Sequence, residues 1–282
     1  MTFVKRAVTT IIGLPAVAFI VFLGGWPLGL LLFVAAMLGL WELYKAFDIP
    51  GPLKLAGFLF TAVYFFNVID GGEADAMLFA LYMVVLVSVS ISYYGKFSLD
   101  KVFQAAFGFL YVSVLLTFVL LVRNLDYGHV WVWLIFIVCF GCDTFAYLIG
   151  SAFGKRKLIN SPSPSKTVEG LVGGVIGVFA LGFFIPYFAS RLPVFAGTEI
   201  AVFLNVWLSL AIAVFAAVGA GFSIVGDMFG SAIKRHAGIK DFGNIFPGHG
   251  GMMDRLDSIV VVAPFIFVVS SALDRRMVFF LL

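Results

Sequence analysis

The chain has 282 residues, of which 62% are hydrophobic, 17% aromatic and only 12% charged, with a formal net charge of +3 and a mean hydropathy of +1.12. A soluble globular domain carries about 25% charged residues, and a larger core cannot absorb the deficit, because a soluble chain of this length still needs a polar surface. A water-soluble fold is therefore excluded; the reading is an integral membrane protein forming one membrane domain over residues 1–282, and no nucleic-acid partner is expected.

A helical span needs about 20 apolar residues. The first run, Val8–Gly24, follows Lys5 and Arg6. It is read as a retained helix and not as a cleaved signal, because the small residues Ala16 and Ala18 fall inside the run and not after it. Only Gly25 and Trp26 separate it from the second run, Pro27–Tyr44, which predicts a tight helical hairpin. Further runs cover Leu53–Ile69, Ala74–Tyr94, Val102–Val122, Val130–Ile149, Val168–Ser190, Glu199–Val225 and Ser258–Leu273, the last free to continue past Asp274-Arg275-Arg276 toward Leu282. The expected fold class is all-α and polytopic, with about nine transmembrane helices. With the N-terminus cytoplasmic, every one of the 18 Lys and Arg except Arg123, Arg191, Arg275 and Arg276 falls in an inside loop, and Asp70, Glu73 and Asp75 fall outside. This is the asymmetry of the positive-inside rule. It puts the two long polar loops, 150–167 and 226–257, on the side where nucleotides are available. Residues 1–130 read mainly as scaffold; 131–282 hold the polar chemistry.

The sixth run contains Cys139 and Cys142, the only cysteines. A zinc site needs about four ligands and there is no second pair, so they read as small buried apolar residues. The same run contains Asp143. A carboxylate inside a span costs on the order of 2.5–3.5 kcal/mol, so it is expected to face a polar cavity or bond a neighbouring helix. Next comes the loop with Lys155-Arg156-Lys157 and Ser161 to Gly170, including Ser163, Lys166 and Glu169. Its basic cluster suits anionic lipid or nucleotide phosphates, while Gly150 and Gly154 suit helix packing.

Charge is densest from Ser231 to Asp257. Asp227 stands at the end of the eighth run. Lys234, Arg235, Lys240 and Arg255 are candidates for phosphate, Arg by paired bonds and Lys as a point charge; positive-inside bias alone explains many loop lysines, but not the interleaved Asp241, Asp254 and Asp257. Asp254 and Asp257, three apart, share one face of a first helical turn. Such a pair is either a charged cap or a Mg²⁺ site, since Mg²⁺ is commonly bound by one or two carboxylates plus substrate phosphates. Pro247 to Gly251 form a glycine-rich loop in which Gly250 and Gly251 let successive N–H groups cradle an anion, and His249 is placed to donate to a phosphate or move a proton.

The segment Ser231 to Asp257 resembles the signature of the phosphatidate cytidylyltransferase (CDP-diacylglycerol synthase) family: Ser-x-apolar-Lys-Arg, four residues, Lys-Asp-x-small, two residues, apolar-Pro-x-His-Gly-Gly-apolar-x-Asp-Arg-apolar-Asp. Every specified position is matched without a gap. Asp143-Thr144-x-Ala146-Tyr147, Ser163-Pro164-x-Lys166-x-x-Glu169-Gly170 and Gly226-Asp227 are similar to the family as well. The resemblance implies synthesis of CDP-diacylglycerol and pyrophosphate from CTP and phosphatidic acid, a polar funnel opening to the cytoplasm, nine helices and a homodimer. The absence of an extra domain or targeting segment fits a bacterial inner membrane. The resemblance also implies a paired-metal centre of Mg²⁺ with K⁺, whose carboxylates match Asp227, Asp254 and Asp257, with Asp143 a further candidate. The substrate positions implied are Asp143, Ser163, Lys166, Glu169, Lys234, Arg235, Gly250 and Gly251. Two alternatives are a CTP-dependent lipid kinase of the polyprenol or phytol type, and a transporter. The transporter would call for broken midplane helices and repeated halves, neither of which the sequence carries.

Overall fold

The computed structural model describes residue 13 and residues 15–72, 76–158, 162–164, 166–189, 206–245 and 250–281. Among these residues there is no strand longer than an isolated bridge, and the chain runs through α1 (residues 15–23), α2 (Gly25–Ala46), α3 (Gly51–Ile69), α4 (Ala76–Ser92), α5 (Leu99–Gly108), α6 (Leu115–Arg123), α7 (Gly128–Phe153), α8 (Val168–Ala189), α9 (Val206–His236), α10 (Met253–Leu256) and α11 (Ile259–Leu281). The protein is an all-α polytopic membrane protein. Among the described residues seven stretches are long and apolar enough to cross a bilayer, counting α5 to α6 as one 25-residue span and Met253–Leu273 as another. α4, at 17 residues, is a shorter apolar helix. Residues 8–12 and 14 of the expected first span, the acids Glu73 and Asp75, and the start of the expected eighth span lie outside the described residues.

Between the first two runs the helix breaks at Gly24. Gly24 (φ +65°) and Gly25 (φ +51°) both take left-handed backbone, which only glycine adopts cheaply. Trp26 already belongs to α2.

Where α2, α4 and α5 meet, two buried hydroxyls find partners, as an apolar surrounding demands. Tyr44 of α2 donates to the Ala105 carbonyl at 2.8 Å, and Tyr82 of α4 donates to the same oxygen at 3.2 Å. The two hydroxyls are 3.3 Å apart. A π-helical turn, Phe109–Val114, interrupts the fifth span. Such turns insert a residue and re-aim side chains, often near functional sites. Here Ser113 meets Thr61 at 2.7 Å, and Tyr111 is brought within electrostatic reach of Asp257 with its hydroxyl buried and unpartnered.

α7 and α8 pack through small residues. A Cβ on Gly150 would fall 3.4 Å from the Gly170 Cα, and one on Gly174 would fall 3.0 Å from the Cys142 carbonyl. This is the close approach expected of glycine-lined membrane helices. Cys139 and Cys142 are both buried free thiols. α9 has 31 residues, about 46 Å at 1.5 Å each, against a hydrocarbon core of about 30 Å. Its last turns therefore project beyond the apolar layer. They carry Asp227, Lys234 and Arg235 to the same face as the ends of α2 and α7 and the start of α8. At the opposite end of α7 an apolar cavity of about 670 Å³ opens beside Trp131, Trp133 and Pro186; it is remote from the acids and bases described next.

Candidate active site

α9 ends in a Schellman turn. Gly238 (φ +69°) donates to the Arg235 carbonyl and Ile239 to the Lys234 carbonyl, the reciprocal pattern that closes a helix at a left-handed glycine. The turn folds the chain back over Lys234, whose ammonium lies 5.4 Å from the centre of the Phe242 ring. Phe242 is buried. Lys234 then donates to Asp254 Oδ1 at 2.7 Å, with both side chains largely removed from solvent. The other oxygen, Oδ2, accepts the backbone N–H groups of Phe242 at 3.0 Å and Gly251 at 2.9 Å. Asp254 is thus a hub tying the end of α9, the returning loop and the start of α10.

This geometry changes the role open to the glycine-rich loop. The Gly251 N–H expected to cradle a substrate anion is spent on the protein's own carboxylate. Gly250 (φ +83°) makes the turn that allows it, and a Cβ there would fall 2.8 Å from Asp254 Oδ2. The next two N–H groups go to another carboxylate. Met252 donates to Glu42 Oε1 at 3.1 Å and Met253 to Glu42 Oε2 at 2.8 Å. Glu42, in α2, is completely buried and was given no role in the sequence reading. The signal was available: a lone acid inside the apolar run Pro27–Tyr44 carries the same insertion cost that singled out Asp143.

A second cluster joins Asp143 of α7, Lys166 of the α7–α8 loop, Asp227 of α9 and Asp257 before α11. Lys166 forms an ion pair with Asp227, and Asp143 and Asp257 act on the same ammonium. Burial pushes Lys166 below the usual lysine range, and these two carboxylates oppose that shift. Asp257 Oδ1 accepts the Ser258 N–H at 2.8 Å. The carboxylate reaches α9 because Gly226 and Gly230 have no Cβ: one on Gly230 would lie 2.9 Å from Asp257 Oδ2, and one on Gly226 would lie 2.5 Å from the Asp257 carbonyl oxygen. Lys234 acts on Asp257 and Arg255 on Asp143, so the two clusters form one network of four carboxylates and three cations. Asp143 and Lys166 open into a cavity of about 430 Å³ between α7 and α8, also lined by Tyr147, Ser151 and Thr167.

Glu169 does something more local. It accepts the N–H groups of Lys155 at 3.1 Å and Arg156 at 3.1–3.2 Å. With the Lys157–Thr167 bridge and the Leu158-to-Lys166 bond at 3.1 Å, this closes the base of the loop that presents Lys166. Ser163 lies in that loop, its carbonyl accepting the Lys166 N–H at 3.2 Å. Glu169→Ala is expected to open the loop base: trypsin should cut after Lys155, Arg156 and Lys157 several-fold faster, and wild-type cleavage rates would show that the carboxylate does not hold the loop.

Arg235, Lys240, Asp241 and Arg255 are exposed on the same face, around the inner network. His249 lies outside the described residues. Among the described residues no three His, Cys, Asp or Glu side chains converge as a closed metal-ligand set. Mg²⁺ asks for less, one or two carboxylates completed by phosphates and water. Asp227 and Asp257 supply hard oxygen donors; Asp227 pairs with Lys166, and Asp143 and Asp257 act on the same ammonium. That donor chemistry fits Mg²⁺. Asp254 is already engaged by an ammonium and two N–H groups.

The family model described as the cytidylyltransferase family matches residues 4–273. A protein of Bacillus subtilis named phosphatidate cytidylyltransferase is 32% identical over 274 residues, covering 93% of this chain and 96% of the relative. One of the same name from Haemophilus influenzae is 30% identical, again over 93% and 96% of the two chains. A third, from Staphylococcus saprophyticus, is 32% identical over 92% of this chain and 95% of its own.

Proposed function

The chain belongs to the cytidylyltransferase family, and from that premise we propose that it is a phosphatidate cytidylyltransferase, forming CDP-diacylglycerol and pyrophosphate from CTP and phosphatidic acid. The observation that carries the reading is the interleaved network of Asp143, Asp227, Asp254 and Asp257 with Lys166, Lys234 and Arg255 at the end of an apolar bundle. A charged nucleotide and a lipid phosphate have to meet at such a boundary, with the acyl chains left among the helices.

In the reaction a phosphate oxygen of the lipid attacks the α-phosphorus of CTP. The bond from that phosphorus to the bridging oxygen breaks, and pyrophosphate leaves with the electron pair. A phosphate monoester has its second pKa near about 6, so the nucleophile is already anionic and needs no strong base. Positioning and electrostatics carry the rate. Arg235 and Lys240, exposed at the rim, draw in the triphosphate. Lys166, Lys234 and Arg255 hold phosphate oxygens, each anchored by a carboxylate of the network. Asp227 and Asp257, with Asp254 beside them, are the residues that would hold Mg²⁺, together with the K⁺ that the resemblance implies. Such an ion would neutralise charge building on the phosphates.

The proposal extends to setting. The site faces the cytoplasm of a bacterial inner membrane: the relatives are bacterial, and the loop lysines and arginines favour that face. The working unit is a homodimer, as the resemblance implies. The test is incubation of the purified protein with phosphatidic acid and CTP labelled at the α-phosphate, with and without Mg²⁺. Metal-dependent label in the lipid phase is expected. Lipid label from the γ-phosphate instead would make the protein a lipid kinase, and no lipid label from either position would remove enzymatic readings and favour a transporter.

A further inference from the structure

We propose that Glu42 is a positioning residue for the transfer reaction, a clamp on the far side of the loop that sets where Asp254, Arg255 and Asp257 point. The proposal rests on the cytidylyltransferase reading above for its kinetic consequence, but not for its geometry.

The first turn of a helix leaves its N–H groups without intrahelical partners. At α10 the residue in the capping position is Met252, which offers no side-chain cap. The cap comes instead from another helix, more than 200 residues earlier in the chain. Glu42 takes the Met252 N–H on one carboxylate oxygen and the Met253 N–H on the other. A carboxylate gives each donor its own acceptor oxygen, and its negative charge suits a helix start.

Two further features are shaped to Glu42. A Cβ on Gly243 or on Gly251 would collide with its carboxylate, so the loop wraps the acid closely from both sides. Gly39, one turn earlier on α2, lets Met253 and Leu256 settle against the same helix: a Cβ there would be 3.4 Å from a Leu256 methyl and 3.7 Å from the Met253 sulfur. α2 therefore grips α10 at three points. Met252 and Met253 immediately precede Asp254 and Arg255, and Asp257 follows within one turn. A shift of the two clamped N–H groups moves all three functional side chains. Glu42 does not line the cavity holding Asp143 and Lys166, which separates positioning from chemistry. A buried acid in an apolar span is expensive; a local Ser or Asp at the cap would stabilise α10 without that cost. The distant acid adds a tie between the N-terminal helices and the signature loop.

The test uses full-length protein in lipid nanodiscs with Glu42→Gln and Glu42→Leu, measuring kcat and KM for CTP per folded molecule and hydrogen exchange of peptides covering residues 242–256. Displacement of reacting groups by about 1 Å costs on the order of 100-fold in rate. The expected result is a kcat loss of about that size, a smaller change in KM, and faster exchange confined to 242–256 while peptides of α7 and α8 stay as in the wild type. A residue that only stabilised the fold would lower the yield of folded protein and leave kcat per folded molecule unchanged. Wild-type kcat in Glu42→Gln, or unaltered exchange in 242–256, would overturn the proposal. If Glu42→Leu does not fold, the near-isosteric Gln variant decides alone. If the wild type itself transfers no cytidylyl group, the functional reading fails, while the exchange comparison still tells whether Glu42 holds the loop.

Discussion

Asp254→Asn is expected to lose at least about 100-fold in cytidylyl transfer while the helical bundle stays folded. The amide oxygen of Asn can still receive the Phe242 and Gly251 N–H groups that now go to Oδ2. The amide nitrogen then faces the Lys234 ammonium, donor against donor, where a 2.7 Å ion pair had been. Removing one partner of a largely buried pair costs about 3–5 kcal/mol, and if the reaction feels that in full the rate falls by roughly 10²–10⁴ at about 1.4 kcal/mol per decade. The companion variant Lys234→Met, and the double variant, separate stability from chemistry. With both charges gone the burial penalty disappears, so the double variant should melt close to the wild type yet remain inactive. Recovery of activity in the double variant would show that the pair only holds the loop. Full activity in a well-folded Asp254→Asn would remove Asp254 from the site altogether.

Gly226→Ala is the second large effect. The added methyl would lie 2.5 Å from the Asp257 carbonyl oxygen and 3.0 Å from the Ser258 Cα. Both neighbours are backbone, so neither can rotate away, and α9 has to part from the start of α11. Overpacking of this kind costs about 1–3 kcal/mol in stability. The larger consequence is catalytic, because the displaced backbone carries Asp257 on one side and Asp227 on the other. Activity is expected to drop about 100-fold. Gly221→Ala is the matched control on the same helix: nothing lies within 4 Å of its Cβ position, and alanine is favoured over glycine in a helix by about 1 kcal/mol. It should keep activity and gain stability. Equal activity in the two variants would show that the close approach at Gly226 is not needed.

Much of this was readable one residue at a time. Hydropathy located the helices because a bilayer requires long apolar runs whatever their neighbours. Asp143 stood out because an isolated acid in such a run has to be compensated. The density of acids and bases from Asp227 to Asp257 marked the site for the same reason. Glu42 obeys that logic too and was passed over because the later charges are so concentrated. For the glycine-rich loop, composition shows that N–H groups are accessible, but not what they meet: the Gly251 N–H goes to Asp254, and the next two, of Met252 and Met253, go to Glu42.

The sequence alone determined that this is an all-helical membrane protein, which residues are costly enough to be functional, and, through the run from Ser231 to Asp257, the family. Those properties depend on the transfer of single residues or short runs between water and lipid, and are local. Only the tertiary structure decided the pairings: Lys234 with Asp254, Lys166 with Asp227 beside Asp143 and Asp257, and Glu42 with a loop more than 200 residues away. These depend on how helices cross and how closely glycines let them approach. That is a property of packing between distant segments, which no single segment encodes.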